Sequence, residues 1–581
     1  MCGILGLQTN QSIDKKLFIN SLNLMAHRGP DSEDFYKLNN TMFGHRRLKI
    51  IDLSDTANQP MTSSDGLYTI IFNGEIYNYK KIAKELLSLG YQFKTNSDTE
   101  ILLYGYHAWG KDIVNKLNGM FAFAILNNKN NEIFLARDRI GIKPLYYYLK
   151  DDLFIFSSEI NPIINLVGKN KLKIDYTSIA DFFTYLYVPE EKTVFEDIKK
   201  LLPGNFAIFK NKSIIIKEYW SLDPTTKTRF SIDSIIEELE DLMNDSVKIR
   251  LLSDVPVGSF LSGGLDSSLV TYYASKNHDN IQTFYADFDS ESKNDIYISN
   301  LLKTDHNREK VDLKKINNAF DLMIHYGDLH YDTSTIPFYY ISEIAKKDVT
   351  VCLSGDGGDE LFYGYNWYNH YDKTLKLNFF SSIYQFIDPS YFYFNKKYER
   401  GFSLKKYLIK NDIERYVYIR GGYTKSYLLD FLPTSIKDNI PDDYDFYWLY
   451  RKYWSNKGLN RKSILQYIDF KNFMVNNILL KVDAMSMLHS LEVRVPFLDH
   501  RIVEFAFSID ENLINGNNNK YIIKKLLKDK FHNQFANQNK VGFGMKNVKF
   551  NNLSSTNKYF SSLGNHDDKL KNMKLLVENY L

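Results

Sequence analysis

Cysteine is almost missing from this chain: 581 residues contain two, Cys2 and Cys352. Two thiols cannot build a disulfide framework, and a zinc site made of cysteine pairs is excluded with it. Long apolar runs are absent too. Nowhere do 18 consecutive apolar residues occur, so no membrane span is indicated. The start of the chain lacks the basic segment, apolar centre and small-residue cleavage site of a secretory leader. Charge of one sign is also scarce, with 73 Lys and Arg against 70 Asp and Glu. No sustained basic stripe appears, which argues against nucleic acid as a partner. What remains is the expectation of a soluble enzyme in a reducing, cytoplasmic compartment.

What is present points to more than one domain. A chain of 581 residues exceeds what one hydrophobic core supports. Residues 2–210 read as short strands, among them Gly3-Leu7, Thr69-Phe72, Met120-Leu126, Ile133-Ala136 and Leu153-Ser157. Helical stretches at Tyr79-Leu89 and Thr99-Trp109 interrupt them, the second behind a Ser97-Asp98 cap signal. That segregation predicts α+β layers. A polar, proline-bearing linker follows at Ser221 to Asp233. From 232 to 550 the texture changes to a long amphipathic helix (Ile235-Leu252), a strand (Val257-Leu261) and alternating helices and strands. Alternation of that kind predicts a parallel sheet wrapped by helices. Residues 364–459 are tyrosine-rich and read as mostly helical, and 551–581 reads as a polar, loosely held tail.

Cys2 follows the initiator methionine directly. Methionine removal is favoured before a small residue and would leave Cys2 with a free α-amine. An α-amine of pKa about 8 is partly neutral at physiological pH and can deprotonate its own thiol. Attack on an amide carbonyl then needs an oxyanion hole, and Asn73-Gly74 supplies a side-chain amide beside a backbone N–H. A glutamine substrate would also call for an Arg and an Asp, residue types present at Arg47 and Asp98. The ordered set HRGPD (27–31), HRRL (45–48), FNGEIYN (72–78), SDTE (97–100), GMFAFAI (119–125) and ARDRIGIKPLYY (136–147) resembles the glutaminase domain of class II glutamine amidotransferases. The resemblance implies an Ntn-hydrolase αββα sandwich in which Cys2 forms a glutamyl thioester and releases ammonia. Arg47, Asn73, Gly74, Glu75 and Asp98 would hold the substrate and oxyanion.

A second constellation begins at FLSGGLDSSL (260–269), a strand entering a tight glycine turn before a helix. Glycines admit an anion closely, and the helix N-terminus offers unpaired N–H groups, so a pyrophosphate fits. No Lys follows the second Gly, so this is not the loop of γ-phosphate-transferring NTPases. The Asp266 carboxylate inside the nest argues for a bridging Mg²⁺. VCLSGDGGDELF (351–362) repeats the strand, glycine turn and helix with more carboxylates, which suits Mg²⁺ and a base. Cys352 reads as a structural residue of that strand. Two further stretches carry charge, Lys481 to Arg501 and NKVGFGMK (539–546).

Together these segments resemble the synthetase domain of the glutamine-hydrolysing asparagine synthetase family, within the PP-loop ATP pyrophosphatases, an α/β fold with a parallel sheet. The resemblance implies that ATP adenylates the aspartate β-carboxylate and that ammonia, carried through an internal tunnel, displaces AMP. Ser262, Gly263, Gly264, Asp266, Ser267 and Ser268 would cradle the pyrophosphate. Phe260, Ala286, Ser354 and Gly355 would contact the nucleotide. Asp266 and Asp359 would look to Mg²⁺, Asp356 would act as general base, and Lys540 would balance charge on the leaving phosphate. Departures from the family pattern lie at Asp287, at Asp328-Leu329-His330 ahead of Asp332, at Tyr363 and at Gln538. They leave open a second acceptor, such as a sugar acid in surface-polysaccharide assembly. A non-catalytic scaffold would have lost Cys2, Asp266, Asp359 or Lys540, and all four stand. Expected partners are glutamine, ATP and aspartate or another carboxylate, with no nucleic acid or membrane; a homodimer is compatible with this reading.

Overall fold

The computed structural model describes residues 1–12, 14–228, 231–288, 292–312, 319–376, 409, 411–455, 458–515, 519–531, 535, 548–549, 562–563 and 566–581. In the N-terminal half, two antiparallel sheets stack face to face. One has six strands in the order β10 (Ile198–Lys200), β8 (Tyr146–Lys150), β9 (Leu153–Ser157), β1 (Gly3–Gln8), β3 (Thr41–Arg47), β2 (Ser32–Leu38). The other runs β12 (Ser213–Glu218), β11 (Asn205–Lys210), β7 (Ile133–Arg137), β6 (Gly119–Asn127), β5 (Tyr68–Ile76), β4 (Met61–Thr62).

Period-two alternation explains the stacking. On β6, Ala122, Ala124 and Leu126 turn into the inter-sheet core with Ile4, Phe43, Phe154 and Phe156. Phe121, Phe123 and Ile125 turn the other way, onto a core shared with Leu102 and Leu103 of the helix Asp98–Trp109 and Ile82 and Leu86 of the helix Tyr79–Ser88. Both faces of this sheet are therefore buried, which is why its strands read as apolar runs. Helices Lys15–Asn23 and Ile160–Val167 cover the first sheet, completing the four layers.

In the C-terminal half a five-stranded sheet runs β15 (Asp305–Lys310), β14 (Gln282–Asp287), β13 (Val257–Phe260), β16 (Val351–Leu353), β17 (Glu492–Arg494), with every pairing parallel. From β13 the chain proceeds outward to β14 and β15, then returns to β16 on the other side. Strand order thus reverses between β13 and β16, where a crevice opens at the carboxyl ends. The expected helix at 235–252 spans Ile232–Arg250. The described part of the tyrosine-rich region is helical at Asn366–Lys376, Asp412–Ile419, Lys425–Phe431 and Trp448–Trp454.

One stretch carried no expectation of its own, and one differs from what was expected. Asp469–Leu479 is a π-helix, whose wider turn leaves no clear period in the sequence. The chain's end, expected to be loosely held, carries the helix His566–Glu578 with Leu570, Met573, Leu576 and Val577 buried. Lys169 of the N-terminal half donates to the Asn579 carbonyl at 3.0 Å, and Tyr580 packs edge-on against Phe195. One continuous apolar core joins the halves, running from Leu5 and Ile142 to Leu265 and Val493.

Candidate functional site

Cys2 lies just before β1, and Asn73, Gly74 and Glu75 belong to β5 of the facing sheet. The sandwich brings them together: the Cys2 N–H donates to Asn73 Oδ1 at 3.0 Å. Gly74 pairs so tightly with β6 that any Cβ would strike the Met120 carbonyl. The Cys2 thiol is buried, which pushes its pKa up; the chain's amine, the Leu48 N–H and the Arg47 guanidinium pull it back down. With Met1 in place, its amine lies 3.1 Å from Glu492 Oε2. Removal of Met1 would make the nitrogen already held by Asn73 the terminal amine.

Arg47 is braced before any substrate arrives. Its Nη1 donates to the Ser54 carbonyl at 2.8 Å and to Asn58 Oδ1 at 2.7 Å, and its Nη2 to the Asp52 carbonyl. Asp98 opens the helix Asp98–Trp109 behind Ser97, whose Oγ accepts from the Glu100 N–H. Asp98 Oδ2 accepts from the Ile76 N–H at 2.9 Å, and burial pushes its pKa up to about 6. Glu75 is raised by burial and by the nearby carboxylates of Glu492 and Asp98. Asn73 Nδ2, of the side chain that accepts from the Cys2 N–H, is buried and, among the described residues, meets no acceptor. A donor waiting without a partner is what an oxyanion would complete.

Three residues of this neighbourhood carried no assigned role in the sequence. Arg28, within HRGPD, donates from Nε to the Cys2 carbonyl at 3.0 Å. Glu492 accepts from Arg494 Nε at 2.7 Å, and Arg494 Nη2 stands 3.6 Å from Glu75 Oε1. Both lie on β17, so the C-terminal half closes the back of the thiol site. The mixed charge within Lys481–Arg501 was the available signal.

The second site is a cavity of about 880 Å³ in the β13/β16 crevice. Ser262, Gly263, Gly264, Asp266 and Ser267 line it from the loop after β13; Ser354, Gly355, Asp356 and Asp359 line it from the loop after β16. Gly263 has φ +69, and a Cβ there would press on the Asp295 N–H. The loops touch, since a Cβ at Gly355 would lie 2.8 Å from the Ser267 nitrogen. Ser262 and Ser267 share a hydroxyl contact of 3.0 Å, and Ser354 Oγ donates to Asp356 Oδ2 at 2.5 Å. Burial raises the Asp356 pKa, with Lys481 opposing.

Phe260 lines the cavity, whereas Ala286 and Ser268 are not among its lining residues. Along β14 it is Tyr285 that lines it, while Ala286 lies 2% exposed in the sheet interior. Ser268 sits fully buried behind the first turn of the helix Leu265–Asn277. Lys540 lies outside the described residues. Lys520, which no motif marked, enters the cavity wall: its ammonium contacts Asp266 and lies 2.5 Å from Asp359 Oδ1. Lys481 Nζ donates to Ser334 Oγ at 2.6 Å and pairs with Asp332 at 3.2 Å on the same wall.

Comparison with known proteins agrees with this division. Residues 1–220 match the family model of the glutamine amidotransferase domain, and 238–569 match that of asparagine synthase. Asparagine synthetase [glutamine-hydrolyzing] 1 of Bacillus subtilis (strain 168) is 34% identical, covering 94% of this chain and 87% of that protein. A putative asparagine synthetase [glutamine-hydrolyzing] 2 of Methanocaldococcus jannaschii is also 34% identical, covering 86% of this chain and 100% of that protein. The amidase chyE of Penicillium rubens is 26% identical over 92% of this chain and 85% of its own length. With a thiol site on an antiparallel sandwich and an acidic, glycine-lined crevice on a parallel sheet, the chain belongs to the glutamine-hydrolysing asparagine synthetase family of ligases.

Proposed function

We propose that this chain makes asparagine from aspartate, ATP and glutamine, dividing the work between its two sites. At the first, Cys2 Sγ attacks the glutamine side-chain carbon while its proton passes to the Cys2 amine. Asn73 Nδ2 and the Gly74 N–H hold the oxyanion, and Arg47, Glu75 and Asp98 hold the substrate's charged groups. Collapse of the tetrahedral adduct expels ammonia and leaves a thioester, which water cleaves to glutamate. At the second, an aspartate β-carboxylate oxygen attacks the α-phosphorus of ATP and pyrophosphate departs. Ammonia then adds to the acyl carbon, Asp356 takes the surplus proton, and AMP leaves.

Mg²⁺ suits the second site. Asp266 and Asp359 are hard oxygen donors lying close enough for one ammonium to touch both. When bound there, the ion would supply charge neutralisation at the phosphates. Lys540 is proposed to balance charge on the departing pyrophosphate.

One observation carries this reading: a single chain joins the Cys2–Asn73 pair, with its waiting amide donor, to a crevice lined by Asp266, Asp356 and Asp359. The test is product analysis with amide-¹⁵N glutamine, ATP and aspartate. Asparagine carrying one ¹⁵N and one AMP per product is expected; no AMP with aspartate present overturns it. A second acceptor, such as a sugar acid of surface polysaccharide, is favoured by the cavity lining. Tyr365, Trp367 and Phe473 contribute to it, and its described lining has Lys481, Lys520 and Lys524 but no Arg for an α-carboxylate. A panel of carboxylic acids in the same assay separates the two.

A further inference from the structure

We propose that Lys520 stands in for the divalent metal between Asp266 and Asp359 and bars the ion from the site until it arrives with a nucleotide. This rests on assigning those two carboxylates to the metal. Two carboxylates facing one point favour a cation between them. Lys520 supplies it. Its side chain is 7% exposed and its ammonium contacts Asp266 and lies 2.5 Å from Asp359 Oδ1.

The backbone keeps it there. Lys520 adopts φ 57 and ψ 36 at the start of the helix Tyr521–Lys528, and its N–H donates to the Phe362 carbonyl at 3.2 Å. That carbonyl follows directly on the short helix Gly358–Leu361, which carries Asp359. Gly364 closes the arrangement, since any Cβ there would strike both Asp359 Oδ1 and the Lys520 side chain. The ammonium is therefore a built part of the wall.

A divalent ion on the same oxygens would meet the ammonium at contact distance, so the two cations compete for one pair of carboxylates. Free metal must displace Lys520 from both carboxylates it pairs with. A metal–nucleotide complex brings phosphate oxygens that give the ammonium a new partner, so the exchange becomes favourable only then. Lys524, one turn further along, also lines the cavity and has its pKa lowered by burial and by Lys520. It adds positive potential for the phosphates without touching the carboxylate pair.

Mn²⁺ binding to the full-length, nucleotide-free protein, read by electron paramagnetic resonance, tests this. Lys520→Met is expected to bind Mn²⁺ at least tenfold more tightly than wild type, and the gap should shrink to a few-fold when α,β-methylene-ATP is added. Circular dichroism and melting establish that the variant is folded. If Lys520→Met does not fold, Lys520→Gln, which keeps hydrogen bonds but not charge, makes the same comparison with the same expectation. Equal Mn²⁺ affinity of wild type and a folded variant without nucleotide overturns the proposal. Separately, an Asp359→Asn protein that binds Mn²⁺ with the analogue as tightly as wild type would sink the metal assignment itself.

Discussion

Arg28 ties Cys2 to the other half of the molecule: Nε donates to the Cys2 carbonyl at 3.0 Å while Nη1 donates to Asp483 Oδ2 at 2.8 Å. The same Nη1 also reaches Glu159 at 3.1 Å. Asp483 lies on the helix Leu480–Met487, two residues beyond Lys481, whose ammonium reaches Ser334 and Asp332 in the β13/β16 crevice. One guanidinium and one helical turn thus separate the thiol's backbone from the wall of the second site.

Arg28→Met takes the shared cation from buried Asp483 and half-buried Glu159. Lys143 remains 3.7 Å from the first and His27 2.9 Å from the second. The loss should therefore be smaller than that of a buried pair broken outright, about 3–5 kcal/mol. The melting temperature is expected to fall. In a variant that stays folded, glutamine-dependent synthesis should fall further than ammonia-dependent synthesis. The ratio of glutamate to AMP formed is the measurement, and a ratio equal to wild type would remove Arg28 from any coupling.

Cys2→Ala removes the nucleophile and touches nothing in the crevice. Glutamine hydrolysis and glutamine-driven synthesis should vanish, while synthesis from ammonium salts stays within about twofold of wild type, a change of under 0.5 kcal/mol in the barrier. Loss of both activities in a folded protein would mean that the two sites are not separate.

Asp98 is pushed up to about pH 6 by burial, so it loses charge under mildly acidic conditions. If it holds the substrate's ammonium, KM for glutamine should climb about tenfold per unit as pH falls below 6. Asp98→Asn should flatten that climb. The sign on stability is the reverse: a proton held more tightly when folded makes stability decline as pH rises from 3.8 to about 6. Asp332 behaves oppositely. Its pKa is drawn down to about 2 by Lys481, so its contribution is complete above 3.8 and lost as pH falls toward 2.

Lys569, on the terminal helix, donates to the Gly421 carbonyl at 2.6 Å, and burial together with Arg420 lowers its pKa to about 7. Between that value and 10.5 the unfolded chain holds a proton that the docked helix does not. Docking should therefore tighten as pH rises from about 7 towards 10.5, and stay at its weakest, with no further change from this group, below 7. Hydrogen exchange of residues 569–580, corrected for intrinsic rates, reads this directly, and Lys569→Met should abolish the pH dependence.

Gly74→Ala forces a methyl group against the Met120 carbonyl on the neighbouring strand. The β5–β6 pairing must give way, displacing the Gly74 N–H from the oxyanion position. A fall in glutamine-hydrolysis kcat of about 10²–10³ is expected, the range for losing one oxyanion donor. Ammonia-dependent turnover serves as the internal reference.

The candidate site residues that the sequence singled out are those whose signal is local. Cys2 at the chain start, Asn73-Gly74 in one strand and the two glycine turns ahead of helices each place their groups within a few residues. Backbone geometry alone then dictates what such groups can do. The sandwich strands were legible for the same reason, since period-two alternation needs no distant partner.

Tertiary structure alone decided the rest, because the pairs involved are far apart in the chain. Arg28 and Asp483 are 455 positions apart, and Lys520 and Asp266 are 254 apart. No local pattern distinguishes a buried, paired lysine from a solvated one, so Lys520 looked like its neighbours. Ala286 and Ser268 stand beside cavity residues in sequence, yet strand alternation and helix phase turn them inward. The terminal helix shows the same limit: Leu570, Met573, Leu576 and Val577 fall on one face, but polar residues between them mask that spacing until a surface exists to receive it.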